Sequence, residues 1–139
     1  MADRPDLAAM IVPLGRALMA DELPILEEHG LSMWAYVVLT AVDGQPVRTQ
    51  SALAQSIGAD KTRIISVLDD LQRRGLIDRQ PDPTDRRVHL VSITSEGHKL
   101  RRAAQTDIQR NEERLLAQLS PQDRRSFLRA LERLFSATR

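Results

Sequence analysis

Apolar residues recur at helical spacing along both ends of this chain, and the middle switches from helical spacing to strict alternation. Leu7, Ile11, Leu14 and Leu18 follow a seven-residue helical period, with Met10 beside them. Pro13 and Gly15 interrupt that stripe, so the sequence predicts a helix that bends or one that begins later. Pro24 predicts a second kink. His29-Gly30 reads as a helix stop. Ser32 then caps a helix over Met33–Val42, which Asp43-Gly44-Gln45-Pro46 closes with turn chemistry.

Thr49 caps the next, short helix, which carries Leu53, Ala54 and Ile57 on one face and ends at Gly58. Asp60 caps its successor, with Ile64, Val67, Leu68 and Leu71 facing inward. That helix ends at Arg73-Arg74-Gly75, where cations suit the negative helix end. Two short amphipathic helices across a tight glycine turn form a helix-turn-helix pattern. Period two then takes over: residues 76–80 predict a strand, 81–87 a turn and 88–93 a returning strand. A hairpin in that place is a wing. Thr94 or Ser95 caps a long helix with the stripe Leu100, Ala104, Ile108, Leu115 and Leu119. Ser120-Pro121-Gln122-Asp123 reads as a capping box opening a last helix, whose apolar face holds Phe127, Leu128, Leu131, Leu134 and Phe135. The expected fold class is mainly α with a small β-hairpin wing, a winged helix-turn-helix in one domain over 1–139.

Composition narrows what fills this fold. Of the 139 residues 42% are hydrophobic but only 3% aromatic, so Leu, Ile, Val and Ala must make the core. Absence of cysteine removes disulfides, zinc–thiolate sites and thiol redox sensing, and it favours the cytosol. The longest apolar run, Met33–Val42, is too short for a bilayer, and the N-terminus has neither the basic start nor the apolar stretch of a signal peptide. No membrane partner is expected. The net charge of +1 is uninformative, but its distribution is not: residues 1–45 carry −5, 46–102 carry +4 and 103–139 carry +2. A basic middle behind an acidic N-terminal segment fits a DNA-reading module with a separate assembly region, although ordinary solvated charge would look similar.

The chemistry concentrates in two places. The start of the second short helix presents Lys61, Thr62, Arg63, Ile65 and Ser66, where short side chains touch base edges and cations reach guanine or phosphate. Alone, this is also what a solvated helix face looks like. The hairpin segment Asp82-Pro83-Thr84-Asp85-Arg86-Arg87 decides between them. A basic side chain at such a tip enters the narrow minor groove, and a carboxylate two residues earlier holds it extended beforehand. A polar tip that only blunts edge aggregation is the alternative.

With these residues in view, the sequence resembles the MarR family of bacterial and archaeal transcription regulators. Leu31-Ser32-Met33-Trp34-Ala35-Tyr36-Val37-Val38-Leu39 looks like the family's second helix, and Thr49-Gln50-Ser51-Ala52-Leu53-Ala54 like the first helix of the reading pair. Residues 60–77 look like the reading helix and its exit. Asp82 to Arg87, with Leu90-Val91-Ser92-Ile93-Thr94 and Gly97, look like the winged hairpin. The resemblance implies a homodimer joined through N- and C-terminal helices (about 1–30 and 95–139), with a DNA-binding lobe at about 31–94. It implies binding to a pseudo-palindromic double-stranded DNA operator through recognition helix 60–74 and wing 76–93, usually as a repressor released by a small, often aromatic, ligand. In the Asp-x-Arg wing motif Asp85 would orient Arg87, and Arg87 would enter the minor groove, with Arg86 as second choice or a phosphate contact. Thr49, Gln50 and Arg73 complete the expected DNA-binding set. Arg63 and Ile65 depart from the family pattern, standing where small hydroxyl residues are common, which would alter base preference.

Dimerisation has its own argument, because the first and last two helices carry more Leu, Ile and Phe than a small winged helix can cover. An effector pocket is expected where these helices meet the DNA-binding lobe, with Leu14, Met19, His29, Met33, Trp34 and Val37 as its lining. Each of these also reads as ordinary core, and His29 as a helix-end cation. No cofactor and no metal are expected, because His29, His89 and His98 share no ligand spacing with carboxylates. No phosphate-cradling loop or nucleophile elbow supports an enzyme. A protein-binding winged helix would predict an uncharged or apolar reading face instead of Lys61, Arg63, Arg86 and Arg87.

Overall fold

A computed structural model describes residues 3–47 and 49–138, so Met1, Ala2 and Arg139, the outer ends of the expected dimerisation segments, lie outside it. Six helices and one hairpin follow in order: α1 (Leu7–Glu28), α2 (Met33–Val42), α3 (Gln50–Ile57), α4 (Lys61–Arg73), β1 (Ile77–Asp82), β2 (Asp85–Ile93), α5 (Ser95–Leu116) and α6 (Pro121–Ala137). Among the described residues no helix is long and apolar enough to cross a membrane.

Side-chain oxygens open five of these helices where the sequence placed them. Ser32, Thr49, Asp60, Thr94 and Ser120 each accept the backbone N–H three residues on, from Ala35, Ala52, Arg63, Gly97 and Asp123. Thr94, not Ser95, is therefore the α5 cap. Glycine ends the reading pair. Gly58 and Gly75 take φ of +71° and +74°, and after Gly75 the Leu76 N–H returns to the Leu71 carbonyl at 2.9 Å.

Three expectations are corrected. α1 begins at Leu7, which excludes the later start, and it continues through both Pro13 and Pro24. Each proline removes a single ladder bond, and the helix is carried by its packing on α5. The predicted stripe of α5 includes Leu119, but the helix ends at Leu116, and Leu119 sits in the connection to α6. The wing turn is also much shorter than residues 81–87, since only Pro83 and Thr84 separate the strands. Asp82 closes it locally: its Oδ1 accepts from the Thr84 N–H at 2.9 Å and the Thr84 hydroxyl at 2.8 Å. Pro81 is tolerated because a two-stranded hairpin is all edge. Pairing runs antiparallel from Ile77↔Ile93 to Pro81↔His89 and then jumps to Asp82↔Asp85. Residues 86–88 thus bulge from β2, which carries Arg86 and Arg87 out of the regular ladder.

The core is aliphatic, as the composition demands. Val38, Leu39 and Val42 of α2, Leu53 of α3, Ile64, Leu68 and Leu71 of α4 and Val91 of β2 are essentially inaccessible. Leu26 at the end of α1, with Ala104 and Ile108 of α5, closes the same core, so the flanking helices enter the lobe at one end only. Polar ties reinforce that joint. The Asp43 carboxylate accepts from the Arg101 guanidinium and contacts His98 Nδ1 at 2.9 Å, and His29 Nε2 meets Asp107 at 2.8 Å. Burial raises the Asp43 pKa, but the His98 and Arg101 hydrogen bonds outweigh it and leave the carboxyl below its ordinary range. This tie therefore contributes stability above the usual carboxylate pKa and loses it only as pH falls through the depressed one.

Gly97 is the glycine approached most closely by the rest of the fold. A Cβ there would lie 2.1 Å from the Leu76 carbonyl oxygen and 2.9 Å from Ile93 Cγ1. A Cβ at Gly15, inside α1, would meet nothing within 4 Å. Gly97→Ala is expected to cost about 3 kcal/mol or more because backbone must move, whereas Gly15→Ala is expected to stabilise by about 0.5–1 kcal/mol through helix propensity. Urea unfolding of the two variants side by side measures both, and equal midpoints would refute the close approach.

Candidate nucleic-acid interface

The helix pair and the wing enclose an open cleft of about 540 Å³ between the start of α3, the outer face of α4 and the bulged part of β2. Thr49, Gln50, Lys61 and Arg87 line it, four of the residues expected to touch DNA. Ser51, Gln72, Arg79, Val88 and His89 share the lining. The charged residues that line the cleft, Lys61, Arg79 and Arg87, are all cations. Such a surface attracts an anion as extended as a phosphate backbone.

Arg79 holds the cleft in shape. Its guanidinium reaches Asp69 at 2.6 Å, Gln72 at 2.5 Å and the Gln50 side-chain carbonyl at 3.1 Å, so one residue of β1 joins α3 and α4. Strand alternation places Arg79 on the same face as buried Ile77, where it must be partnered. That inward arginine was the available sequence signal, and it was missed, as were Ser51 and His89. Gln50, with its carbonyl taken by Arg79, has its amide N–H groups left to offer.

On the wing, Asp85 accepts three hydrogen bonds from Arg87: from the backbone N–H at 3.1 Å, from Nε at 3.2 Å and from Nη2 at 3.4 Å. The Arg87 side chain is 91% exposed, so this partner orients it without burying it. Arg86 is exposed beside it and does not line the cleft.

The reading helix divides its polar residues between two concavities. Lys61 faces the wing cleft, while Asp60, Thr62, Arg63, Ser66 and Val67 line a second, shallow one of about 650 Å³. Ile65 is exposed between them. Arg73 joins neither, since it lies at the far end of α4 and pairs with Asp70 at 3.3 Å. The guanidinium of Arg63 sits over the Trp34 ring, 5.8 Å from its centroid.

The residues expected to line an effector pocket are not brought together in any of these concavities. Leu14 borders a crevice of about 100 Å³ between α1 and α5. Met19 is exposed, His29 is engaged by Asp107, and Met33 packs on the core. Trp34 and Val37 are half-buried on α2. The same α1–α5 face holds Glu22 and Glu112, whose carboxyls burial pushes above their ordinary range. Among the described residues no three His, Cys, Asp or Glu side chains gather as metal ligands.

Architecturally this is a winged helix-turn-helix protein, and its relatives give the class a name. The family model described as MarR family matches residues 29–88. Over 111 residues the chain is 30% identical to a Thauera aromatica protein named as a transcriptional regulator for the hcr operon, covering 80% of this chain and 67% of that one. A MarR-family regulator from Rhodococcus sp. RHA1 superposes with a TM-score of 0.77 at 26% identity, covering 94% of this chain and 96% of that one. CouR from Rhodococcus jostii RHA1, solved bound to p-coumaroyl-CoA, superposes with a TM-score of 0.75 at 27% identity, covering 93% and 91%. The chain belongs to the MarR family of transcription regulators.

Arg79→Met tests the bracing of the cleft. It leaves Gln50, Asp69 and Gln72 without their shared donor and is expected to lower stability by about 1–3 kcal/mol. Urea unfolding reads the loss, with faster amide exchange expected across β1. A change inside about 0.5 kcal/mol would mean that water replaces all three bonds without cost.

Proposed function

We propose that this protein is a homodimeric repressor that binds a pseudo-palindromic double-stranded DNA operator, reading the major groove with the start of α4 and the minor groove with Arg87. The observation that carries this reading is the cleft itself. Lys61, the start of α3 and the Asp85-oriented Arg87 share one wall whose lining charges are cations, with Arg87 exposed at its edge. Pre-orientation by Asp85 lowers the entropy lost when Arg87 enters a groove. Thr49, Gln50, Thr62, Ile65 and Ser66 are assigned to base edges or nearby backbone, and Lys61 and Arg86 to phosphate. Arg73 is the weakest member of the set because of its distance from the cleft and its Asp70 partner. A protein-binding role fits this cationic wall less well, and a role in gene regulation places the protein in the cytoplasm and outside enzyme catalysis.

Exposed apolar surface supports the dimer. Leu7, Met10, Ile11 and Leu14 stand exposed along α1, and α6 buries none of its residues despite Phe127, Leu128, Leu131, Leu134 and Phe135. A bidentate pair from Arg124 to Glu113 holds α6 on α5 but leaves that apolar stripe in water. A second copy covers it most simply. Release by a small aromatic ligand rests on the family and on the p-coumaroyl-CoA complex of its relative CouR. Leu14, Met19, His29, Met33, Trp34 and Val37 are the residues proposed for it, and within one chain only Leu14 borders one of the concavities described above.

Two measurements test these claims. Arg87→Ala is expected to weaken binding to DNA fragments selected by the wild-type protein about ten-fold at fixed salt, with stability unchanged within about 0.5 kcal/mol. Unaltered affinity would remove Arg87 from the interface. Sedimentation equilibrium at micromolar concentration is expected to give twice the chain mass of 15.6 kDa. A monomer there would break the two-fold arrangement.

A further inference from the structure

We propose that Trp34 is a positioning residue for Arg63, and that this cation–π pair sets part of the base preference of the reading helix. The inference rests on the DNA-binding reading above and adds to it a residue on α2, outside the helix pair. Arg63 is held at both ends. Its backbone N–H donates to the Asp60 cap at 2.8 Å, and its guanidinium carbon lies 5.8 Å from the centroid of the Trp34 ring. Among the described residues the contact of the Arg63 guanidinium is the Trp34 indole, with no carboxylate paired to it.

Position gives the contact its consequence. Arg63 is the third residue of α4, in the turn that enters a major groove, and it shares a concavity with Thr62 and Ser66. An arginine in that turn reads guanine by donating to O6 and N7 together, which requires the guanidinium plane to be correctly set. A free arginine side chain explores many rotamers, whereas one held over a ring by a cation–π contact is confined to few. Trp34 itself is anchored in the first turn of α2, behind the Ser32 cap and beside buried Ala35. The core that fixes α2 against α4 therefore also fixes where the guanidinium stands.

Selection from a pool of randomised duplexes, followed by sequencing, gives the base-preference profile of each variant. In wild-type protein a guanine preference is expected at one position of each half-site. Arg63→Ala is expected to reduce that preference about ten-fold, and Trp34→Leu about three-fold. Trp34→Phe, which keeps a ring, is expected to recover most of it. The dependence of affinity on salt should stay the same in Trp34→Leu, because no phosphate contact is removed. A merely structural role would lower the active fraction and leave the profile intact. Trp34 is the only tryptophan, so its fluorescence supplies a reading that does not depend on how well Trp34→Leu folds. DNA is expected to change the emission of wild-type protein and to change it far less in Arg63→Met.

A wild-type profile in Trp34→Leu alongside an altered one in Arg63→Ala would overturn the pairing. Equal emission changes in wild-type and Arg63→Met protein would overturn it as well. A profile unaffected by Arg63→Ala would remove Arg63 as a reader and the pair with it. Failure of the wild-type protein to select any sequence would instead bring down the proposed function on which the pair depends.

Discussion

Everything in the reading lobe hangs on the close approach of α5 to the strand that leaves α4. At Gly97 the helix backbone passes so near the Leu76 carbonyl that no side chain fits. Thr94 ties the junction from three directions: its N–H donates to the Leu76 carbonyl at 3.1 Å, its hydroxyl donates to the Gly75 carbonyl at 2.7 Å, and that hydroxyl accepts from Gly97 at 3.0 Å. The end of the reading helix, both roots of the wing and the start of the long helix meet in these few residues. A shift at any of them would displace the wing relative to α4, and with it the width of the cleft between them.

The second constraint is that α1 and α5 belong to two structures at once. Leu26, Ala104 and Ile108 complete the lobe's core, while one face of α1 and the apolar stripe of α6 are exposed. Arg101 and Asp43, both largely withdrawn from water, fasten the long helix to the end of α2. Breaking such a pair leaves one charge poorly solvated, so the joint resists sliding. A dimer formed through the exposed parts of α1 and α6 would thereby hold its two reading lobes at a fixed spacing. That property is what a two-fold DNA site requires of a protein.

In the cleft the division of labour is between reach and support. Lys61 and Arg87 reach outward, whereas Arg79 and Asp85 are engaged with their own chain. Residues that reach were legible because charge at a helix start and in a tight hairpin stands out locally. Support was legible only in part. The Asp85–Arg87 pair is two residues apart and could be read from the sequence. Arg79 bonds partners up to 29 positions away, and Arg63 and Trp34 come from different helices. The expected effector-pocket residues lie on, or at the end of, helices flanking the junction with the lobe, and helical spacing identifies such helices without saying which of their faces meet.

Short-range chemistry therefore set out the sequence's share of this protein. Caps at Ser32, Thr49, Asp60, Thr94 and Ser120 satisfy backbone groups only three residues away, so their effect needs no tertiary structure. Hydrophobic period separated helices from hairpin for the same local reason. Tertiary structure decided the rest. It carried α1 through two prolines and bulged Arg86 and Arg87 from the ladder. It also brought Arg79, Gln50, Lys61 and His89 to one wall. These outcomes depend on which surfaces are pressed together, and packing free energy is shared among residues far apart in the chain, where no local pattern records it.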